Sequence, residues 1–223
     1  MQTPGKGLFI TFEGVEGCGK TTQTLALTEW LRAQGLSVVL TREPGGTPVG
    51  ERCREILLDV GHAGMSPATE LFLYLASRAE HVDGVIKPAL KRGDVVISDR
   101  FADASVAYQG GGRLLGQKTV GALNEVATGG VKPDVTFLMD LDPAEGIERL
   151  VMGRGEGARD RIESEVLEFH QRVREAYLET AGREPDRFVV IDAELSVEEI
   201  QSNVREAVGR LLGHRGMKTG RAV

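Results

Sequence analysis

Apolar residues in this chain follow two rhythms. Runs of strand length, Leu8 to Phe12, Ser37 to Thr41, Asp94 to Ser98, Val135 to Asp140 and Phe188 to Ile191, alternate with longer stretches of helical spacing. One helix carries Leu25, Trp30 and Leu31 and stops at Gly35. A long helical zone runs from Glu70 to Leu90 and is punctuated by Gly93, and others lie near Pro143 to Met152 and Ser164 to Thr180. Ser196 with Glu199 three residues on predicts a capping box at the start of a final helix. Strands separated by helices imply a parallel sheet with helices on both faces, an α/β architecture whose ligands bind beyond the carboxyl ends of the strands.

No repeat, low-complexity tract or linker divides the chain. A single domain is therefore expected over residues 1–213, with a lid near 149–163 and a flexible basic tail over 214–223. Hydrophobic residues make up 41% and charged residues 27%, an ordinary globular balance. There is no membrane-length apolar run and no basic-then-apolar leader at the N-terminus, so a cytoplasmic protein is expected. A net charge of −6 argues against nucleic acid or a membrane as partner. Cys18 and Cys53 read as free thiols of a reducing compartment.

The chemistry begins directly after the first strand. Gly14-Val15-Glu16-Gly17-Cys18-Gly19-Lys20-Thr21 fits G-x-x-x-x-G-K-[ST] at every position, between an apolar strand and a helix. Its glycines let successive N–H groups turn toward phosphate oxygens, and the helix end, including Thr22, faces the same anion. Lys20 supplies charge for the β- and γ-phosphates, and Thr21 a hydroxyl for Mg²⁺. This motif implies a nucleoside triphosphate but not what is done with it.

Three further clusters bear on that question. Asp99-Arg100 follows the third strand. The acid suits a water-bridged Mg²⁺ and the arginine a bidentate phosphate, although a surface ion pair is an equal reading of the dipeptide alone. Arg149, Arg154, Arg159 and Arg161 surround Gly153, Gly155 and Gly157, as in a loop that closes over phosphates; a solvated connection is the alternative. Ala107 to Arg113, with Tyr108, Gln109 and three glycines, reads as the mobile edge of a base pocket or as a plain loop. A GTPase switch would need a guanine-reading Asn-Lys-x-Asp segment, and the sequence has none. Transfer to a small acceptor is the better reading, with a sister nucleotide kinase or a slow nucleotide switch as competitors.

Taken in order, FEGVEGCGKTTQ from Phe12, TREPGGT from Thr41, ASRAEHV from Ala76, SDRFADASVAYQGGGR from Ser98 and RDRIE from Arg159 resemble the thymidylate kinase family in its bacterial form. The likeness runs from about Leu8 to Val208. It implies a P-loop fold like that of nucleoside monophosphate kinases, with five parallel strands. It also implies ATP with Mg²⁺ as donor, dTMP as acceptor, and a homodimer. By position, Glu16 would approach the acceptor's 3′-hydroxyl, and Arg54 and Arg100 would hold its phosphate. Glu43 and Pro44 of TREPGGT would line the same site. Tyr74 stands where a ring, usually phenylalanine, stacks on thymine. Arg78 would donate to thymine O4, Ser105 and Gln109 would bond the base edge, and Tyr108 would crowd the 2′ position. Cys18 leaves the phosphate loop without a basic residue there, so lid arginines matching Arg154 and Arg161 would supply the charge, and Arg149 would stack on adenine.

Overall fold

A computed structural model describes residues 7–154 and 159–217, with the side chain of Arg154 outside the described set. Its centre is a parallel sheet of β1 (Leu8–Glu13), β2 (Val38–Arg42), β3 (Val95–Asp99), β4 (Val135–Asp140) and β5 (Phe188–Asp192), in the order β2-β3-β1-β4-β5. All five strands were legible as apolar runs because this sheet is covered on both faces, and every residue of β1 is buried. Alternation along β1 divides the interior. Leu8, Ile10 and Phe12 join the larger core, while Phe9 packs with Val82, Ile86, Val96 and Phe101 on the other face.

The register brings Phe12 beside Asp99, and Asp99 beside Arg42, at the carboxyl edge of the sheet. Around it lie α1 (Lys20–Ala33), α2 (Pro48–Leu58), α3 (Pro67–His81), α4 (Lys87–Arg92), α5 (Ala102–Ser105), α6 (Gln117–Thr128), α7 (Pro143–Arg154), α8 (Leu167–Arg183) and α9 (Val197–His214). A π-helical turn, Val82–Ile86, joins α3 to α4, which accounts for the long helical zone read from the sequence. The capping box of α9 forms as expected: Ser196 Oγ accepts from the Glu199 N–H, and Glu199 Oε2 accepts from the Ser196 N–H. Both cysteines are free and buried. No described helix is long and apolar enough to cross a membrane.

Two expectations need correction. The glycine-rich stretch after Tyr108 is not a mobile loop, for α5 continues through a π-helical segment, Val106–Gly112, that is largely buried. Its glycines serve packing. A Cβ on Gly111 would stand 2.5 Å from the Ala176 Cβ, and one on Gly112 would stand 2.6 Å from the Phe169 ring, so bare backbone is what lets α8 approach. The tail also begins later than expected. His214 belongs to α9, and Arg215 folds back onto the Gly7 carbonyl and the Asp134 carboxylate.

Gly112→Ala is expected to destabilise the protein by about 1–3 kcal/mol through overpacking. Gly182→Ala, in α8 with nothing within 4 Å of the added carbon, should stabilise it by about 0.5–1 kcal/mol. Midpoints of denaturant unfolding for the two variants check the contrast.

Candidate active site

The phosphate loop leaves β1 at Gly14 (φ 138°) and enters α1 through Gly19 (φ 85°), both in left-handed backbone. Gly17 requires its missing side chain for a second reason, since a Cβ there would lie 2.1 Å from the Gly146 carbonyl of α7. Lys20 Nζ donates to the carbonyls of Val15 (2.8 Å) and Gly14 (3.2 Å) and to Cys18 Sγ (3.3 Å), so the loop itself steadies its cation. Gly17, Gly19, Lys20, Thr21 and Thr22 line a cleft together with Asp99, Arg149, Arg54 and Arg100. Gly14, Val15 and Cys18 form the buried base of the loop, Val15 and Cys18 each being 2% exposed. Arg149, which donates to the Ala193 carbonyl and pairs with Glu145, stands at the cleft wall where a base-stacking group was expected.

Thr21 Oγ1 donates to Asp99 Oδ2 at 2.8 Å, which unites the two residues expected at a metal. Among the described residues no cluster of three or more His, Cys, Asp or Glu side chains is set to hold a cation. One hydroxyl and one carboxylate make a small, hard, oxygen-only donor set. That suits Mg²⁺, which keeps most of its water and takes its remaining ligands from phosphate.

Arg100 joins this cleft to the next. It is one of two non-glycine residues with positive φ among those described (71°), and its backbone is over-determined. Its N–H donates to the Phe12 carbonyl, and its own carbonyl accepts from Ser98 Oγ at 2.7 Å. The turn directs the guanidinium back under the phosphate loop. Nη1 donates to the Gly14 carbonyl (3.0 Å) and the Tyr177 hydroxyl (3.2 Å), Nη2 pairs with Glu16 Oε1 (3.0 Å), and the Tyr108 ring lies 4.8 Å away. Tyr108 donates to the same Glu16 oxygen at 2.6 Å. Burial would raise the Glu16 pKa; Arg100, followed by His170 and Lys20, outweighs it and holds the carboxyl at about 2.

Three residues earlier, Glu13 meets the opposite fate. It is fully buried at the end of β1, accepting from the Phe101 N–H and the Tyr177 hydroxyl at 2.7 Å each. Burial, reinforced by the charge of Asp103, pushes its pKa up to about 8 against the lowering pull of Arg100 and those two hydrogen bonds. Glu13 and Tyr177 were not singled out from the sequence. The only signs were an acid closing an apolar strand and a ring on the Phe169, Val173, Tyr177 stripe of α8.

A second pocket opens on the far side of Arg100. Glu16, Glu43, Pro44, Arg54, Tyr74, Ser105, Tyr108 and Gln109 line it, which brings these expected residues into one pocket, together with Asp160, Ile162 and Glu163, which the sequence reading did not assign. Glu16, Glu43, Arg54, Arg100 and Glu163 are common to both pockets. Arg54 donates to the Pro44 carbonyl (3.1 Å) and has no carboxylate within ion-pair distance among the described residues, which leaves its charge facing the junction.

Arg78 and Arg161 stand elsewhere than expected. Arg78, 1% exposed, is behind the pocket wall, donating to Glu43 (2.8 Å), Ser105 (2.9 Å), Asn124 (2.6 Å) and the Phe101 carbonyl (2.9 Å). It organises two pocket residues instead of lining the pocket itself. The physical reason is Glu43, a buried carboxylate that takes Arg78 on one oxygen and His81 on the other. Arg161, 4% exposed, donates to the Leu57 carbonyl and pairs with Glu70 at 2.7 Å. Glu70 is wholly buried and also accepts from Arg113 and Gln109. Burial would raise its pKa, but Arg113, Gln109 and Arg161 bring it below the usual carboxylate range. An acid this deep draws in cations, and Arg161 answers it in place of the phosphates. The Arg154 side chain, the other expected lid charge, lies outside the described residues.

Comparison with known proteins returns one family throughout. Residues 12–204 match the family model described as thymidylate kinase. The thymidylate kinase of Pelobacter propionicus is 49% identical over 220 residues, spanning 97% of this chain and 99% of its own. That of Desulfosudis oleivorans is 50% identical over 208 residues, spanning 92% and 97%. The crystal structure of the Ehrlichia chaffeensis thymidylate kinase superposes with a TM-score of 0.74 at 34% identity, covering 91% of this chain and 98% of that one.

The raised pKa of Glu13 has a signed consequence for stability. Its carboxyl keeps its proton in the folded state up to about pH 8 but in the unfolded chain only to about 4.5. The stability it contributes is thus full below pH 4.5 and lost as pH rises through 8. Glu13→Gln removes that titration. The stability of wild type relative to the variant should fall by at least about 1 kcal/mol between pH 5 and 8, as read from urea unfolding.

Proposed function

Since this chain belongs to the thymidylate kinase family, a phosphotransferase family that passes the γ-phosphoryl group of ATP to dTMP to give dTDP, we propose that its two pockets hold those substrates end to end. The phosphate-loop cleft takes ATP and the Tyr74 pocket takes dTMP, with Arg54 and Arg100 at the shared boundary. The observation that carries this reading is the sharing itself: the same two guanidinium groups belong to both linings.

The chain's own contribution is placement and fixed positive charge. Lys20 faces the β- and γ-phosphates from the loop, while Arg54 and Arg100 grip the acceptor phosphate. The acceptor oxygen is already anionic, so no general base is needed, and catalysis rests on orientation and on charge held ready for the transition state. Arg100 meets that need because its position is set by backbone, carboxylate, ring and hydroxyl before substrate arrives. Thr21 and Asp99 would hold Mg²⁺, which when bound neutralises phosphate charge. Glu16 reaches the acceptor sugar beside Tyr108, and Ser105 and Gln109 read the base edge over the Tyr74 ring. Arg78 supports that reading from behind through Ser105 and Glu43. The enzyme would work in the cytoplasm, where free thiols persist and DNA precursors are made.

We also infer a homodimer. Phe72 on α3 is 60% exposed and Val126 on α6 is 81% exposed, two large apolar side chains on helices that share the Leu71, Leu75, Val120 cluster. Phe72→Glu should shift the mass in sedimentation equilibrium toward the monomer.

The reaction is tested by supplying ATP with each nucleoside monophosphate in turn and scoring diphosphate product, with dTMP expected as the preferred acceptor. Lys20→Ala or Arg100→Ala should cut turnover by at least ~10², about 2.7 kcal/mol of barrier. Arg54→Ala should mainly raise the KM for dTMP. A folded Arg100→Ala enzyme within a few-fold of wild type would overturn the placement of Arg100 at the reacting phosphates.

A further inference from the structure

Among the described residues, three buried side-chain polar atoms lack a hydrogen-bond partner, and two of them belong to one pair: Glu16 Oε2 and His170 Nε2. His170, from α8, is 1% exposed and lines neither pocket. Its Nδ1 lies 3.3 Å from Glu16 Oε2, close enough for an ion pair but without the alignment of a hydrogen bond. The ring meets the Phe169 ring edge-on at 5.3 Å. Glu16 Oε1 is already saturated by Arg100 and Tyr108.

The two oxygens of Glu16 therefore have different duties. Oε1 is committed to holding Arg100 and Tyr108. Oε2 is unpaired and withdrawn from solvent, with a buried imidazole nitrogen beside it. A lone buried carboxylate oxygen is costly unless something completes it. Hydrogen bonds of this kind are often long in a free enzyme and tighten when substrate arrives.

We propose that His170 is a positioning residue: its Nδ1–H holds the buried Glu16 Oε2 and so fixes the carboxylate in the orientation that meets the acceptor's 3′-hydroxyl, making His170 a determinant of selection for acceptors that carry that hydroxyl. This rests on the reading that Glu16 faces the acceptor sugar. With the proton on Nδ1, Nε2 is left with a lone pair against the surrounding apolar groups, a smaller defect than an unpaired N–H. The lowered pKa of Glu16, to which His170 contributes after Arg100 against burial, accords with a donor at that place. Helix α8 reaches the acceptor site by this route although no part of it borders the substrate.

The test compares kcat/KM for dTMP with that for its 3′-deoxy counterpart. Wild type should prefer dTMP. Glu16→Gln should lower the preference by about 10-fold, as expected for loss of a hydrogen bond to a charged acceptor. His170→Phe and His170→Gln should lower it by about 5- to 10-fold, because neither presents a donor at the Nδ1 position. His170→Asn, whose amide nitrogen sits near that position, should keep it within about two-fold of wild type. A purely structural histidine would change the melting midpoint and both substrates alike, leaving the ratio fixed. A fixed ratio in the His170 variants alongside a lowered one in Glu16→Gln would overturn the proposal and spare the Glu16 reading. An unaltered ratio in Glu16→Gln would overturn both. If His170→Phe does not fold, equal behaviour of the Asn and Gln variants is the overturning result.

Discussion

The ion pair between Arg100 and Glu16 is the joint on which both halves of the cleft depend. Its charges are largely withdrawn from water, at 17% and 11% side-chain exposure, so neither tolerates loss of the other. Arg100 reaches the pair only because its backbone takes a left-handed turn that the Ser98 hydroxyl and the Phe12 carbonyl pin in place. Glu16 reaches it only because Gly14 and Gly17 fold the loop over the strand end. Strain in one segment and glycine in the other meet in a single contact, and the two pockets open on either side of it.

Two glutamates three residues apart show how strongly local surroundings outrank residue type. Both are buried. Glu16 sees Arg100, His170 and Lys20 and stays ionised, whereas Glu13 sits beside Asp103 and the apolar end of β1 and keeps its proton to about pH 8. A neutral Glu13 spares Arg100 a second competing anion. Among the described residues the guanidinium is thereby left with Glu16 as its one charged carboxylate partner.

The sheet was readable from the sequence because a doubly covered strand needs an unbroken apolar run, and the phosphate loop because each of its glycines has a fixed task. What escaped reading had physical causes. The three glycines after Gln109 look like loop punctuation, yet Gly111 and Gly112 serve as a seam for α8 and Gly110 lies against Gln117 of α6, since local composition does not say whether a glycine is there to bend or to let a neighbour close. Arg78 and Arg161 were assigned to ligands by position; the carboxylates that hold them, Glu43 and Glu70, come from other elements, and no spacing along the chain reveals such pairings. Glu13, His170 and Tyr177 lay hidden for a related reason. On a strand end or a helical stripe, a polar group within the core and one beside a substrate have the same periodicity.

Gly146 offers a mechanical corollary. Helix α7 touches the phosphate loop there through bare backbone, where an added Cβ would lie 2.3 Å from the Glu16 carbonyl. The contact acts as a fulcrum, and the helix beyond it as a lever arm. At about 1.5 Å per residue, the backbone of Arg154 stands roughly 12 Å along the axis from that fulcrum, so a tilt of about 10° would carry the tip by about 2 Å. That stroke matches the difference between a made and a broken hydrogen bond, and the Arg149 bond to the Ala193 carbonyl, partway along the arm, is the tie that would resist it.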